Sequence, residues 1–262
     1  MSASMTGKLT FLKFTDKEFD AITEQLCNVF VTTRSELSLL YQEIADDFDK
    51  DGWPPHFVSR SFFKSEDIAF QKVFTESPVI AVDLPSLFEL NNQVTNKPTV
   101  IILGQDAKSA QDAGNIRLGT PYGLHHKGSR EILVRTKFYF EMITTFFDLG
   151  YRVYLTDIYK VWVCDPNRPY YGVKLPKVDQ KKFTNVLKAE LLIVNPVALV
   201  TWGKDAANGI AKIDHDIQHL KFPHPSGAAN RTWKKLMNQS PSYENKLTYW
   251  NSVVRSSLPN RE

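Results

Sequence analysis

The sequence predicts an α/β fold: a three-layer α/β/α arrangement around a central, mostly parallel four-stranded sheet, with an extra helical N-terminal region. Three observations lead there. From residue 97 onward, four short strand-like runs, the first of them continuously apolar and β-branched, are separated by apolar stripes at helical spacing. Strands alternating with helices of this length build a parallel sheet covered on both faces. The 262 residues are 42% hydrophobic and 23% charged, the balance of an ordinary globular protein with an ample core.

Each element follows in order. Residues 1–95 read as a helical extension packed on the core, and residues 96–262 as the α/β domain. Thr15 caps a helix whose stripe is Phe19, Ile22, Leu26 and Phe30. Leu37, Leu40, Tyr41 and Ile44 form a second stripe, which Asp51-Gly52-Trp53-Pro54-Pro55 breaks. The run from Pro98 to Gly104 fits a buried parallel strand. Val134 to Leu149 reads as a helix with Phe138, Met142, Ile143 and Phe146 on one side, followed by a strand over 152–156. A helix over 178–194 leads to a third strand at 197–203. A short helix over 206–213 then precedes the fourth strand, 218–222.

Lys plus Arg number 32 against 29 Asp plus Glu, so the formal charge of +3 selects no partner. Cys27 and Cys164 are too few for a disulfide framework, a four-Cys zinc site or a four-Cys iron–sulfur cluster. No basic-then-apolar leader opens the chain. No apolar run approaches the ~20 residues that cross a bilayer. The expectation is a reduced, cytoplasmic monomer without membrane contact.

In open parallel sheets the ligand sits beyond the carboxyl ends of the strands. Here those ends carry Gly104-Gln105-Asp106, then Asp157 to Lys160, then Gly203-Lys204-Asp205, then His224-Pro225-Ser226-Gly227. Asp106 is either a turn or cap residue, or a carboxylate that orients water and stabilises positive charge, with Asp112 as a rival. His224 is either a satisfied turn histidine or an N–H donor to an anionic leaving group, and Ser226 with the loop amides suits a phosphate. An ionised Asp157 at a pocket floor accepts hydrogen bonds and donates none, so it selects an amino group or a protonated ring nitrogen; its ordinary alternative is a turn cap. Lys108, Lys160, Arg168, Lys204 and Arg231 ring the predicted rim, with Tyr122, Tyr170, Tyr171 and Trp233 between them. Such a rim is either solvated surface or the mix of charge and flat faces that nucleic acid requires.

The order of Gly104-Gln105-Asp106, Gly123-Leu124-His125-His126, Leu155-Thr156-Asp157-Ile158-Tyr159-Lys160 and His224-Pro225-Ser226 resembles the uracil-DNA glycosylase superfamily. The likeness covers about residues 97–237, and Asp165 to Pro169 resembles the segment after the family's base-recognition strand. It implies a monofunctional DNA glycosylase that flips a nucleotide and hydrolyses its N-glycosidic bond without metal or redox cofactor. Asp106 matches the carboxylate that positions water, and His224 the histidine that stabilises charge on the base's O2. Gln105 offers its backbone to the base, Ser226 grips a phosphate, and Lys160, Lys204 and Arg231 join the DNA contacts. His126 falls where the family stacks a phenylalanine on the base, with His125 and Tyr122 as alternatives in this longer loop.

The departures from that pattern carry the substrate expectation. Lys108 stands where the family has a tyrosine that blocks C5 of the pyrimidine, and Asp157 where it reads the base with asparagine. A carboxylate accepts from the N4 amino group of cytosine but cannot donate to uracil O4 unless protonated. Burial beside Asp106 raises Asp157, and a protonated Asp157 donates to cytosine N3. Both changes favour a cytosine with bulk at C5, such as hydroxymethylcytosine or its glucosylated form in phage DNA, with Lys108, Ser109 and Gln111 facing the sugar. The expected role is antiviral defence. The family's wedge leucine gives way to Gly227-Ala228-Ala229-Asn230-Arg231, so Arg231, an N-terminal residue or a single-stranded substrate replaces it. Lys50, Arg60 and Lys64 flank Trp53, Phe57, Phe62 and Phe63, which either widen a DNA surface or cover one sheet edge. The competing functions are ordinary uracil excision in base excision repair, an inactive DNA- or protein-binding member, and a small-molecule enzyme on a generic sheet.

Overall fold

A computed structural model describes residues 7–91, 96–108 and 115–261. In chain order its first elements are β1 (Lys8–Phe11), α1 (Asp16–Cys27), α2 (Arg34–Asp46), β2 (His56–Val58), α3 (Ile68–Glu76), β3 (Ile80–Asp83) and β4 (Ser86–Asn91). Next come β5 (Thr99–Asp106), β6 (Ile116–Gly119), α4 (Lys127–Glu131), α5 (Val134–Phe147), β7 (Arg152–Tyr159), β8 (Val161–Asp165) and β9 (Arg168–Gly172). The chain closes with α6 (Lys177–Val194), β10 (Ala198–Trp202), α7 (Lys204–Ile210), β11 (Gln218–Phe222), α8 (Asn230–Met237) and α9 (Tyr243–Ser257).

The four predicted strands are β5, β7, β10 and β11, and they pair in parallel in the spatial order β7-β5-β10-β11. Their side chains alternate between two cores, as the strand period of two requires. Ile101, Leu103, Tyr154 and Leu199 pack in a cluster with the buried faces of α1, α2 and α6. Val100, Ile102, Val153, Leu155 and Val200 pack on the opposite side with α5 and α9. This is the three-layer α/β/α architecture.

The N-terminal region is more than a helical extension. Its helices form where expected, and reciprocal capping boxes start both: Thr15 with Glu18 on α1, and Thr33 with Glu36 on α2. The same region also supplies strands. β4 pairs antiparallel with β7 and β1 with β4, so the central sheet has six strands rather than four. β2 and β3 enter a second sheet of order β2-β6-β3-β8-β9. Of the flanking aromatics, Phe62 and Phe63 are buried, and the Arg60 guanidinium donates to the carbonyls of Phe74 and Ser77 at 2.9 and 2.7 Å. That part of the segment covers the domain. No helix among the described residues is long and apolar enough to cross a membrane.

Candidate active site

The strand ends meet through register. β5 and β7 run side by side with Gly104 opposite Asp157 and Asp106 opposite Tyr159, while β10 and β11 bring Gly203 and His224 up on the other flank. A Cβ at Gly104 would collide with Asp157 Oδ1 and stand 2.7 Å from the Tyr122 hydroxyl. Glycine is needed there because two polar atoms occupy the space. Tyr122 holds φ at 62°, a left-handed conformation uncommon for a bulky residue, and its buried hydroxyl has no hydrogen-bond partner. Backbone outliers and unsatisfied buried polar groups cluster at functional sites, and Tyr122 combines both at the convergence of the strand ends.

Tyr122, not His126, faces this cleft. Its ring lies 6.0 Å from that of His224, and the charges of Asp157, Asp83 and Asp106 all bear on its hydroxyl. His126 caps α4 and is buried, with its ring 3.8 Å from that of His125, which in turn lies 6.1 Å from His56. The turn into α4 draws both histidines under the second sheet, so the expected stacking role of His126 is not met.

Asp157 is buried, and the carboxyl of Asp83 reaches it from the end of β3. β3 is anchored there because the Asp83 N–H donates to the Lys160 carbonyl at 3.0 Å. Two carboxylates cannot hydrogen-bond each other without a proton. Burial raises Asp157 far above the usual carboxylate range, and the charges of Asp83 and Asp106 add to this. Asp83 rises to about 7 through burial, tempered by its bond with Asp157 and by the Arg117 guanidinium. The shared proton therefore sits on Asp157 with Asp83 accepting. Asp83 was missed in the sequence, although Ile80-Ala81-Val82-Asp83 has the same strand-end signature as the other runs.

Asp106 is partly exposed and stands between the Asp157 cleft and the loop before α7. Burial raises it to about 6, the Asp205 charge pushes the same way, and Lys108 with a bond from the Gln105 amide opposes. The Gln105 Nε2 donates to Asp106 Oδ2 at 3.0 Å. Burial lowers His224 to about 4, helped by the positive charges of Arg135 and Lys246. Its Nδ1 accepts the Ser226 N–H at 3.1 Å, so the neutral ring carries its proton on Nε2. The Ser226 hydroxyl lies 2.8 Å from the same nitrogen and also bonds Tyr139. Ser226 thus orients His224 rather than presenting a free hydroxyl to a phosphate.

Two other rim residues turn out to be internal. Lys160 is fully buried: its Nζ donates to Glu190 Oε2 at 3.0 Å, Thr156 Oγ1 at 3.0 Å and the Asp157 carbonyl at 3.2 Å. A lysine one residue past the end of β7 points under the sheet, so it cannot touch DNA. Trp233 is also fully buried, and its indole N–H donates to the His224 carbonyl at 2.9 Å. Lys108, Lys204 and Arg231 are exposed beyond their strand ends as expected. Ser109, Gln111 and Asp112 lie outside the described residues. Among the described residues, no group of three or more His, Cys, Asp or Glu is placed to hold a metal ion.

At neutral pH the cleft therefore holds an ionised carboxylate, a protonated carboxyl and a neutral imidazole with an N–H donor. Environment has pushed the acidities of neighbouring groups apart, which is how acid and base roles are divided within one site. No protein-family model and no curated protein matches this sequence.

Proposed function

We propose that the protein is a DNA glycosylase acting on cytosine that carries a bulky C5 substituent. The observation that carries this is the trio at adjacent parallel strand ends: Asp106, the proton-sharing Asp157–Asp83 pair, and His224 with its Nε2–H. Once an arriving base displaces Asp83 from that proton, the Asp157 carboxyl matches the cytosine edge: its O–H donates to N3 and its carbonyl oxygen accepts from the N4 amino group. Tyr122 offers a flat face to the base.

In this mechanism Asp106 takes a proton from a water that adds to C1′ as the C1′–N1 bond breaks. The bonding electrons pass into the ring, and Asp157 delivers its proton to N3, so the base departs neutral. His224 donates to O2, where charge builds during departure. The exposed Lys108, Lys204 and Arg231 supply phosphate contacts. The family likeness puts a C5-blocking tyrosine at the position of Lys108, whose flexible chain leaves room for a substituent.

Incubation with oligonucleotides holding uracil, cytosine or 5-hydroxymethylcytosine, followed by alkaline cleavage, tests the proposal. Strand breaks are expected at the modified cytosine. Robust uracil release without them sinks the cytosine assignment in favour of ordinary base excision. Intact strands throughout sink glycosylase activity altogether. Asp157→Asn replaces the acid by an amide and is expected to shift preference towards uracil.

The rate should also be bell-shaped in pH. It rises as Asp106 ionises through about 6 and falls only at the alkaline end, where Asp157, held far above the usual carboxylate range by burial, gives up its proton; the step at about 7 belongs to Asp83. Single-turnover rates from pH 5 to 9 measure this, and Asp83→Asn should move the alkaline limb while leaving the acid limb. An unmoved alkaline limb removes the dyad from the chemistry.

A further inference from the structure

A cavity of about 580 Å³ is lined by Asp106 but not by Asp157. Its walls come from α7, from the β8–β9 hairpin and from the end of β5, with Lys108 among the lining residues. This volume is in the range of small-molecule sites, roughly 300–1,000 Å³. Four aromatic residues, Tyr159, Trp162, Tyr170 and Tyr171, contribute to the lining. Two of them are held in place. The Tyr159 hydroxyl donates to Gln180 Oε1 at 3.1 Å, and the Gln180 amide donates in turn to the Leu175 carbonyl at 2.7 Å. β9 lies so close over Trp162 that any side chain at Gly172 would strike the indole.

The polar lining is mixed in a way that selects among ligands. Asp106 and Asp205 can only accept when ionised, Lys108, Lys174 and Lys212 can only donate, and Asn208 does both. A phosphate serves the lysines but meets repulsion from both carboxylates. A neutral polyol serves all of them, because each hydroxyl both donates and accepts. Its apolar C–H face fits the aromatic walls.

We infer that this cavity is a subsite for a neutral hexose. The inference rests on the excision assignment for how the sugar arrives: it is carried on C5 of the base, and Asp106, which lines the cavity, also belongs to the excision site. Two measurements on the whole protein separate the claims. Titration with methyl glucopyranoside, read by Trp fluorescence and backbone NMR shifts, probes the cavity without chemistry. Excision from oligonucleotides holding 5-hydroxymethylcytosine, with and without the hexose, probes the coupling.

Saturable perturbation of the cavity residues is expected, and it should be lost in Asn208→Ala and Lys212→Ala. The hexosylated base should be excised with kcat/KM roughly tenfold or more above the plain one, because unpaired polar groups penalise the ligand that lacks their partner. Both variants should bring that ratio to parity with plain hydroxymethylcytosine excised as before. Equal rates on the two bases, or an advantage that survives both variants, overturns the hexose subsite and leaves the excision assignment standing. Failure on every modified base overturns that assignment instead. The titration then decides alone, and absence of saturable perturbation refutes the subsite.

Discussion

Replacing Lys160 by methionine is expected to lower the free energy of unfolding by about 3–5 kcal/mol. The reason is the partner left behind. Glu190 is fully buried and accepts from Lys160, from the Tyr154 hydroxyl at 3.0 Å and from Thr156, so removing the ammonium strands a carboxylate in a dry core. Lys160 itself donates to three acceptors, which leaves no spare valence for a ligand. Urea denaturation measures the loss as a lower midpoint at unchanged slope. The double change Lys160→Met with Glu190→Leu should recover most of it, since the destabilisation comes from unpairing the charge. A loss under about 1 kcal/mol in the single variant contradicts a tight buried pair, since exposed pairs are worth that little.

Asp106→Asn should cost roughly two to four orders of magnitude in the single-turnover excision rate, the range for a positioned general base. An amide keeps the shape and the hydrogen bond from Gln105 within reach but cannot take the proton from water. DNA retention should hold, because Asp106 contributes no positive charge to the rim. Fold integrity is checked by the thermal midpoint, which should not fall when a carboxylate of raised pKa is neutralised. A variant that excises within about threefold of the parent would move the base elsewhere, since a positioned base contributes far more than that.

The parallel half of the sheet was legible because three of its strands, β5, β7 and β10, are buried on both faces. Val100 to Leu103 and Ala198 to Trp202 are continuous apolar runs, and helices of standard spacing lie between them. The antiparallel edge was not legible. β1 and β4 are short, and β4 mixes Glu89 and Asn91 with apolar residues, so their pairing is visible only in three dimensions.

The site divides along the same line. Asp106, Asp157 and His224 follow from strand ends, because register alone brings them together. His126 and Lys160 failed because the direction of a side chain past a strand end depends on what packs beneath it. Here an α4 cap buries one and Glu190 captures the other. Asp83 was missed because it comes from the second sheet, whose β3 reaches the end of β7 through the Lys160 carbonyl and the Asp157 carboxyl.

That contact makes the proton-sharing pair a long-range one in the chain. Asp83 is synthesised well before Asp157, and the two meet only when β3 docks across the end of β7. Contacts between distant segments carry a loop-closure cost and tend to form late. A partly made or locally opened molecule therefore holds two carboxylates of ordinary acidity, both charged at neutral pH. The proton is taken up when these segments close over each other, so the acidity of this site reports that they have docked.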